Sequence, residues 1–149
     1  DIDAQTLADE FVRALSRQRE LIPGAVETVA AIAARMPVAI VTNGIPEVQH
    51  ARFDESPAMR CASHLIISGE VGFQKPDPRI VREALARLGA QPGDALMAGD
   101  GLQSDILAAN RAGVDACWYN PKSLPRPAGA KIEYEIREIR ALVPIALAE

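Results

Sequence analysis

The chain is poor in the residues that most often build metal and nucleophile sites. It has two cysteines, Cys61 and Cys117, and two histidines, His50 and His64, in 149 residues. The cysteines stand at no metal-ligand spacing, so they read as two separate reduced thiols, as in a cytoplasmic protein. The histidines are far apart, and neither stands near a serine or cysteine in a nucleophile arrangement. Both read as structural. No apolar run approaches the roughly 20 residues that cross a bilayer, and the N-terminus is not signal-like. The expectation is therefore a protein without a membrane partner. Basic charge is also short: 16 Lys and Arg against 20 Asp and Glu leave a net charge of −4. That balance argues against a nucleic-acid partner. There is no internal repeat and no low-complexity segment.

What the chain does have is enough apolar residue for one core. Its 149 residues make about one domain, and 48% hydrophobic with 24% charged residues is ordinary for a globular protein. Short apolar runs alternate with helical patterns. A helix is expected over 3–19, with Asp3 as N-cap and Leu7, Phe11, Ala14 and Leu15 on one face. Ile22-Pro23-Gly24 breaks it, and a second helix is expected over 25–35. Val38 to Val41 reads as a strand, Pro46 to Phe53 as a short helix, and Leu65 to Ile67 as a strand ending at Ser68-Gly69. Pro78 to Leu88 reads as a helix with proline in its first turn and Gly89 as its stop. A strand around Leu96, a helix from Asp105 to Ala112, a strand at 116–119 and a Pro-rich loop over 121–130 follow. A short strand near Tyr134–Ile136 and a helix from Glu138 to Ala148 close the chain. Alternation of this kind means βαβ units and a parallel sheet.

In such a sheet the turns after the strands gather at one edge, where open α/β sheets bind ligands. Three groups would meet there. Thr42-Asn43 offers a hydroxyl and backbone N–H groups near a helix start, an anion site in outline, although a strand-end Thr-Asn-Gly is also an ordinary turn. Lys75 precedes Pro76-Asp77-Pro78, which stiffens the backbone and fixes the stem of an ammonium able to neutralise phosphate; the plain alternative is a solvated loop. Asp100 and Asp105 flank the start of a helix after an apolar run that stops at Gly99. Hard carboxylate oxygens at that edge suit Mg²⁺. The bland alternative is a turn aspartate plus a helix N-cap.

Taken in order, Val41-Thr42-Asn43-Gly44, then Ser68-Gly69-Glu70-Val71-Gly72-Phe73-Gln74-Lys75-Pro76-Asp77-Pro78, then Gly99-Asp100 with Asp105, the chain resembles the haloacid dehalogenase-like (HAD) hydrolase superfamily. These segments look like its second, third and fourth motifs, and the resemblance runs from about Leu21 to Tyr119. Ile67 to Gly72 and Cys117-Trp118-Tyr119-Asn120 look most like the small-molecule phosphatase branch that includes the YjjG-type pyrimidine 5′-nucleotidases. The Gly99-Asp100 pair is similar to the phosphatases rather than to the true dehalogenases. The resemblance implies a Rossmann-like, doubly wound parallel α/β core over 22–149, with 1–21 as the last helix of a cap. It implies Mg²⁺ as cofactor and a small phosphorylated metabolite as substrate, attacked by an aspartate to give an aspartyl-phosphate intermediate. On the matching positions, Asp100 would bind Mg²⁺ and Asp105 would act from behind it, orienting a metal-bound water or Lys75. Thr42, the Asn43 amide and Lys75 would hold the phosphate.

The departure is at the front. The family's first motif, Asp-x-Asp at the end of an apolar strand, has no match. Asp1-Ile2-Asp3-Ala4-Gln5-Thr6 imitates it, but no strand precedes it and an amphipathic helix follows. The chain looks like the C-terminal part of a longer protein, and on its own it is expected to be inactive. The strand that carries that motif lies in the family between the strands ending at Thr42 and Gly99. Its absence would leave two unpaired edges inside the sheet and invite self-association through them. The alternatives are a non-catalytic phosphate- or metal-binding remnant of the same fold and a receiver-like doubly wound domain, for which the motif order is wrong.

Overall fold

The computed structural model describes Glu10 and residues 20–148. The helix expected over 3–19, apart from Glu10, which is helical, and Asp1 and Asp3 with it, lie outside the described residues.

Helix α1 (Ala25–Ala33) starts after Gly24, whose positive φ of 82° is a conformation that glycine adopts at no cost. Strand β1 (Ala39–Thr42) follows, then helix α2 (Pro46–Glu55), strand β2 (His64–Ile67) and a helical turn α3 (Ser68–Val71). Helix α4 (Pro78–Leu88) has the ends its sequence announces. Asp77 caps it by accepting the Arg79 N–H, and Gly89 closes it at φ 65°. Strand β3 (Leu96–Gly99) leads through a π-helical turn over Leu102–Ile106 into helix α5 (Leu107–Ala112). Strand β4 (Asp115–Tyr119), strand β5 (Tyr134–Ile136) and helix α6 (Leu142–Leu147) complete the order.

Three segments differ from the sequence reading. The turn after β2 is helical, because the Gly72 N–H returns to the Ser68 carbonyl and Gly72 takes the left-handed φ of 81° that ends it. The helix expected from Asp105 begins as a π turn, with both the Asp105 and Ile106 N–H groups donating to Gly101 O. The last helix is shorter at its start. A 3₁₀ turn over Ile139–Ala141 precedes α6, whose Pro144 lies in the first turn, where its missing N–H costs no bond.

All strand pairs are parallel. β1 pairs with β2, with Val41 opposite Ile66; β3 pairs with β4, with Gly99 opposite Trp118; and β4 pairs with β5. Successive strand residues face opposite sides. Ile66 and Ile67 are both 0% exposed, and so are Ala116 and Cys117, so both faces of β2 and β4 are covered. This is the doubly wound arrangement. On one side α4 packs on β1, β2 and α5, and α5 packs on β4, so one helical layer spans both sheets. α1 packs against α6 and the turns at 59–61 and 139–141.

The sheet is nevertheless in two pieces. β1 and β3 do not pair. They are also less buried than their neighbours: every residue of β1 is half-buried and Ala98 of β3 is exposed. In a continuous parallel sheet the middle strands are the most enclosed. Here the strands flanking the seam are open, though Ala39, Val41 and Met97 still pack on the shared core around Ile66, Ile80, Ile106 and Trp118.

Candidate functional site

The C-terminal ends of β1 and β3 meet across the seam through Lys75. Its Nζ donates to the Val41 carbonyl of β1 at 2.9 Å and to Asp105 Oδ1 at 2.7 Å. The two side chains are 12% and 10% exposed, so this is a largely buried ion pair that still opens to the site. The ammonium is placed by its backbone. Asn43 Nδ2 donates to Lys75 O at 3.0 Å, and the Lys75 N–H donates to Asn43 Oδ1 at 2.8 Å. Asn43 thus uses its side-chain amide as a clamp on Lys75, which leaves its main chain rather than its side chain to face an anion. The Lys75–Pro76 peptide is cis. The Asp77 N–H returns to Gln74 O at 2.8 Å, which tightens the turn.

The other wall is the turn after β3. Asp105 spends its second oxygen on the Gly101 N–H at 2.9 Å. Both of its oxygens are therefore held. Gly99 is needed for this closeness: a Cβ there would lie 2.5 Å from Asp105 Cβ, Cγ and Oδ2. Asp100 is exposed at the strand end. Thr42 stands on the opposite wall, with its hydroxyl only loosely engaged on Asn43 O at 3.4 Å. Thr42, Asn43, Lys75 and Asp105 are brought to one edge, with Asp100 beside them on the same loop.

Among the described residues no three His, Cys, Asp or Glu side chains gather into a metal-binding group. The donor chemistry still fits Mg²⁺, which commonly takes one or two carboxylates and fills its octahedron with water and phosphate oxygens. Asp100 would hold it, with Asp105 behind.

Beside this edge lies an open cleft of about 470 Å³, lined by Gly44, Ser68, Gly69, Gly72, Phe73 and Gln74. Ser68 Oγ accepts the Gly44 N–H at 3.0 Å and so ties the loop after β1 to α3. His50 Nε2 meets Glu70 Oε1 at 2.6 Å and ties α2 to the same turn, a structural use. The Arg79 guanidinium lies 4.4 Å over the Phe73 ring and pairs with Asp77. That pairing holds the Asp77 carboxyl down at about 2. Cys61 and Cys117 are unpaired, and burial pushes the Cys117 thiol up to about 11, so it is inert.

The sequence reading places Ser68 and Trp118 in segments that resemble the phosphatase branch but gives neither a place in the site. Trp118 donates its indole N–H to Asp100 O at 3.2 Å. Its place near the end of β4, paired with Gly99 beside the acidic loop, is what brings it there.

A family model for haloacid dehalogenase-like hydrolases matches residues 2–113. The chain is 36% identical over 138 residues to a phosphoserine phosphatase of Thermus thermophilus, covering 92% of this chain and 55% of that protein. It is 30% identical over 143 residues to the pyrimidine 5′-nucleotidase YjjG of Escherichia coli, covering 95% and 64%. The crystal structure of the HAD-hydrolase YfnB from Bacillus subtilis, bound to magnesium, superposes with a TM-score of 0.88 at 29% identity, covering 97% of this chain and 64% of that one. The chain spans about 55 to 64% of the length of these relatives.

Proposed function

The chain belongs to the haloacid dehalogenase-like hydrolase family, and on that footing we propose that it forms the larger part of a Mg²⁺-dependent phosphohydrolase acting on a small phosphate monoester. The observation that carries this reading is the Lys75 ammonium, fixed between Val41 O and Asp105 Oδ1 at the edge where Thr42 and Asp100 also stand. A phosphate seated there meets a fixed positive charge, a hydroxyl and the main chain after β1. Phosphoryl transfer is mostly positioning and charge stabilisation, so these groups supply much of what the protein can contribute. Lys75 offsets the charge of phosphate and attacking carboxylate. Thr42 and the Asn43 main chain orient the phosphate oxygens. Asp105 holds Lys75 in place. Mg²⁺, when bound at Asp100, would neutralise phosphate charge and orient it.

The attacking aspartate, which would form the aspartyl-phosphate, is not among the described residues of this edge. The 149-residue chain is therefore proposed to be inactive alone. A nucleoside monophosphate, in keeping with the nucleotidase among its relatives, is one proposed substrate, and a sugar phosphate or phosphoglycolate is equally compatible with these core residues. Two unpaired thiols support a reducing, cytoplasmic setting. The open edges of β1 and β3 support self-association, measurable by sedimentation across a concentration series; a strict monomer with one cooperative, concentration-independent melt would overturn it.

The test is Mg²⁺-dependent phosphate release from p-nitrophenyl phosphate and a nucleotide panel. Absence of turnover in this chain, with detectable Mg²⁺ or phosphate binding, is expected. Turnover that disappears in Asp1→Asn or Asp3→Asn would place the nucleophile at the N-terminus and refute the proposed inactivity. A second reading, a non-catalytic remnant that keeps the phosphate cradle, is favoured by the seam between β1 and β3. It would be supported if longer forms of the protein bind phosphate and still turn nothing over.

A further inference from the structure

Asp100 is flanked by Gly99 and Gly101, the two residues that least restrain a peptide plane. A carboxylate between two glycines would wander unless something outside the loop fixed it. The peptide unit joining Asp100 to Gly101 is held at both ends. Its N–H, on Gly101, donates to Asp105 Oδ2 at 2.9 Å. Its carbonyl, on Asp100, accepts the indole N–H of Trp118 at 3.2 Å. Asp105 is itself anchored by Lys75. Trp118 is anchored by burial, at 2% exposed, and by its place in β4 opposite Gly99.

We propose that Trp118 is a positioning residue for Asp100: its indole N–H locks the Asp100–Gly101 peptide plane and so keeps the Asp100 carboxylate aimed at the phosphate edge. The proposal rests on the reading of Asp100 as the Mg²⁺-binding carboxylate. Any buried indole needs some hydrogen-bond partner. This one has taken the carbonyl whose orientation decides where the proposed metal-binding side chain points, and the lock then ties the site to the β3–β4–β5 sheet.

The experiment compares the 149-residue chain with Trp118→Phe and with a second variant carrying benzothienylalanine at position 118, which keeps the bicyclic shape but has no N–H. Amide hydrogen exchange is read at Gly101 and at Asn120, whose N–H donates to Ile136 O in the same sheet. Loss of one hydrogen bond should speed exchange at Gly101 about fivefold in both variants while leaving Asn120 within about twofold. MgCl₂ titration followed at the Asp100 and Gly101 resonances should show about fivefold weaker binding in both variants. Unchanged Gly101 exchange, or Gly101 and Asn120 rising by the same factor, would overturn the proposal, since the latter is what a purely structural tryptophan produces. If Gly101 responds as expected but MgCl₂ leaves the parent's resonances unmoved, the lock stands and it is the metal reading of Asp100 that fails.

Discussion

Replacing Lys75 by methionine keeps most of the apolar stem, one atom shorter, and removes the ammonium with its two hydrogen bonds. The structure says what is then stranded. Asp105, with its side chain 10% exposed, loses the 2.7 Å ammonium contact and keeps one N–H donor, that of Gly101. The Val41 carbonyl loses its 2.9 Å donor as well. Removing one partner of a buried ion pair costs about 3–5 kcal/mol, because the other charge stays behind without compensation. The site opens to solvent, which can rehydrate part of Asp105, so the low end, about 3 kcal/mol, is expected. In a chain of this size each kcal/mol moves the melting temperature by about 2–4 °C, so Lys75→Met should melt about 6–12 °C lower. Asp105→Asn should cost a comparable amount. The double variant should recover much of the loss, because it leaves neither charge unpaired. Thermal and urea unfolding of the four proteins at pH 7 complete the cycle. A loss in Lys75→Met below about 0.5 kcal/mol would place the pair with exposed surface pairs and refute the claim that it pins the two sheets.

Gly99→Ala would drive a methyl into Asp105, 2.5 Å away. Overpacking of this kind costs about 1–3 kcal/mol and should appear as a lower urea midpoint. Asp100→Asn changes an exposed side chain and should shift stability by no more than about 0.5 kcal/mol. In any form of the protein that turns over it should abolish Mg²⁺-dependent phosphate release, and retained activity would sink the role given to Asp100. Asp77 is held at about 2, below its ordinary 3.8, by Arg79. A carboxyl depressed by folding stabilises the fold above its unfolded value, and that contribution is lost as pH falls from about 4 towards 2. Carboxyl NMR should find the Asp77 titration moving up in Arg79→Ala, and an unmoved titration would refute the pairing.

The elements most legible in the sequence were those with chemical punctuation. Pro78 and Gly89 bound α4 at both ends, and β5 coincides with Tyr134–Ile136. The convergence of Thr42, Asn43, Lys75 and Asp105 followed from one rule of parallel sheets, that turns after strands share an edge. What could not be read was whatever depends on one specific partner across space. The use of the Asn43 amide on Lys75, the π turn that takes three N–H groups to Gly101 O, and the indole bond to Asp100 are long-range or geometric choices that leave no periodic trace. The helical turn at Ser68–Val71 was hidden for another reason: Ser-Gly suggests a loop, and only the left-handed Gly72 reveals that the preceding four residues wind.

The seam between β1 and β3 gives the site two foundations. Thr42 and Asn43 ride on one piece of sheet, Asp100 and Asp105 on the other, and near the site the α4–α5 layer and the Lys75 ammonium span them. The spacing between the proposed anion cradle and the carboxylate proposed to bind metal is thus set as two bridge piers are set by their span, not by a continuous slab beneath them. Displacement of one catalytic group by about 1 Å can cost a hundredfold in rate. Substitutions in α4 and α5, remote from any phosphate, therefore act on the site through the width of the span, and the side chains joining those two helices carry alignment as well as stability.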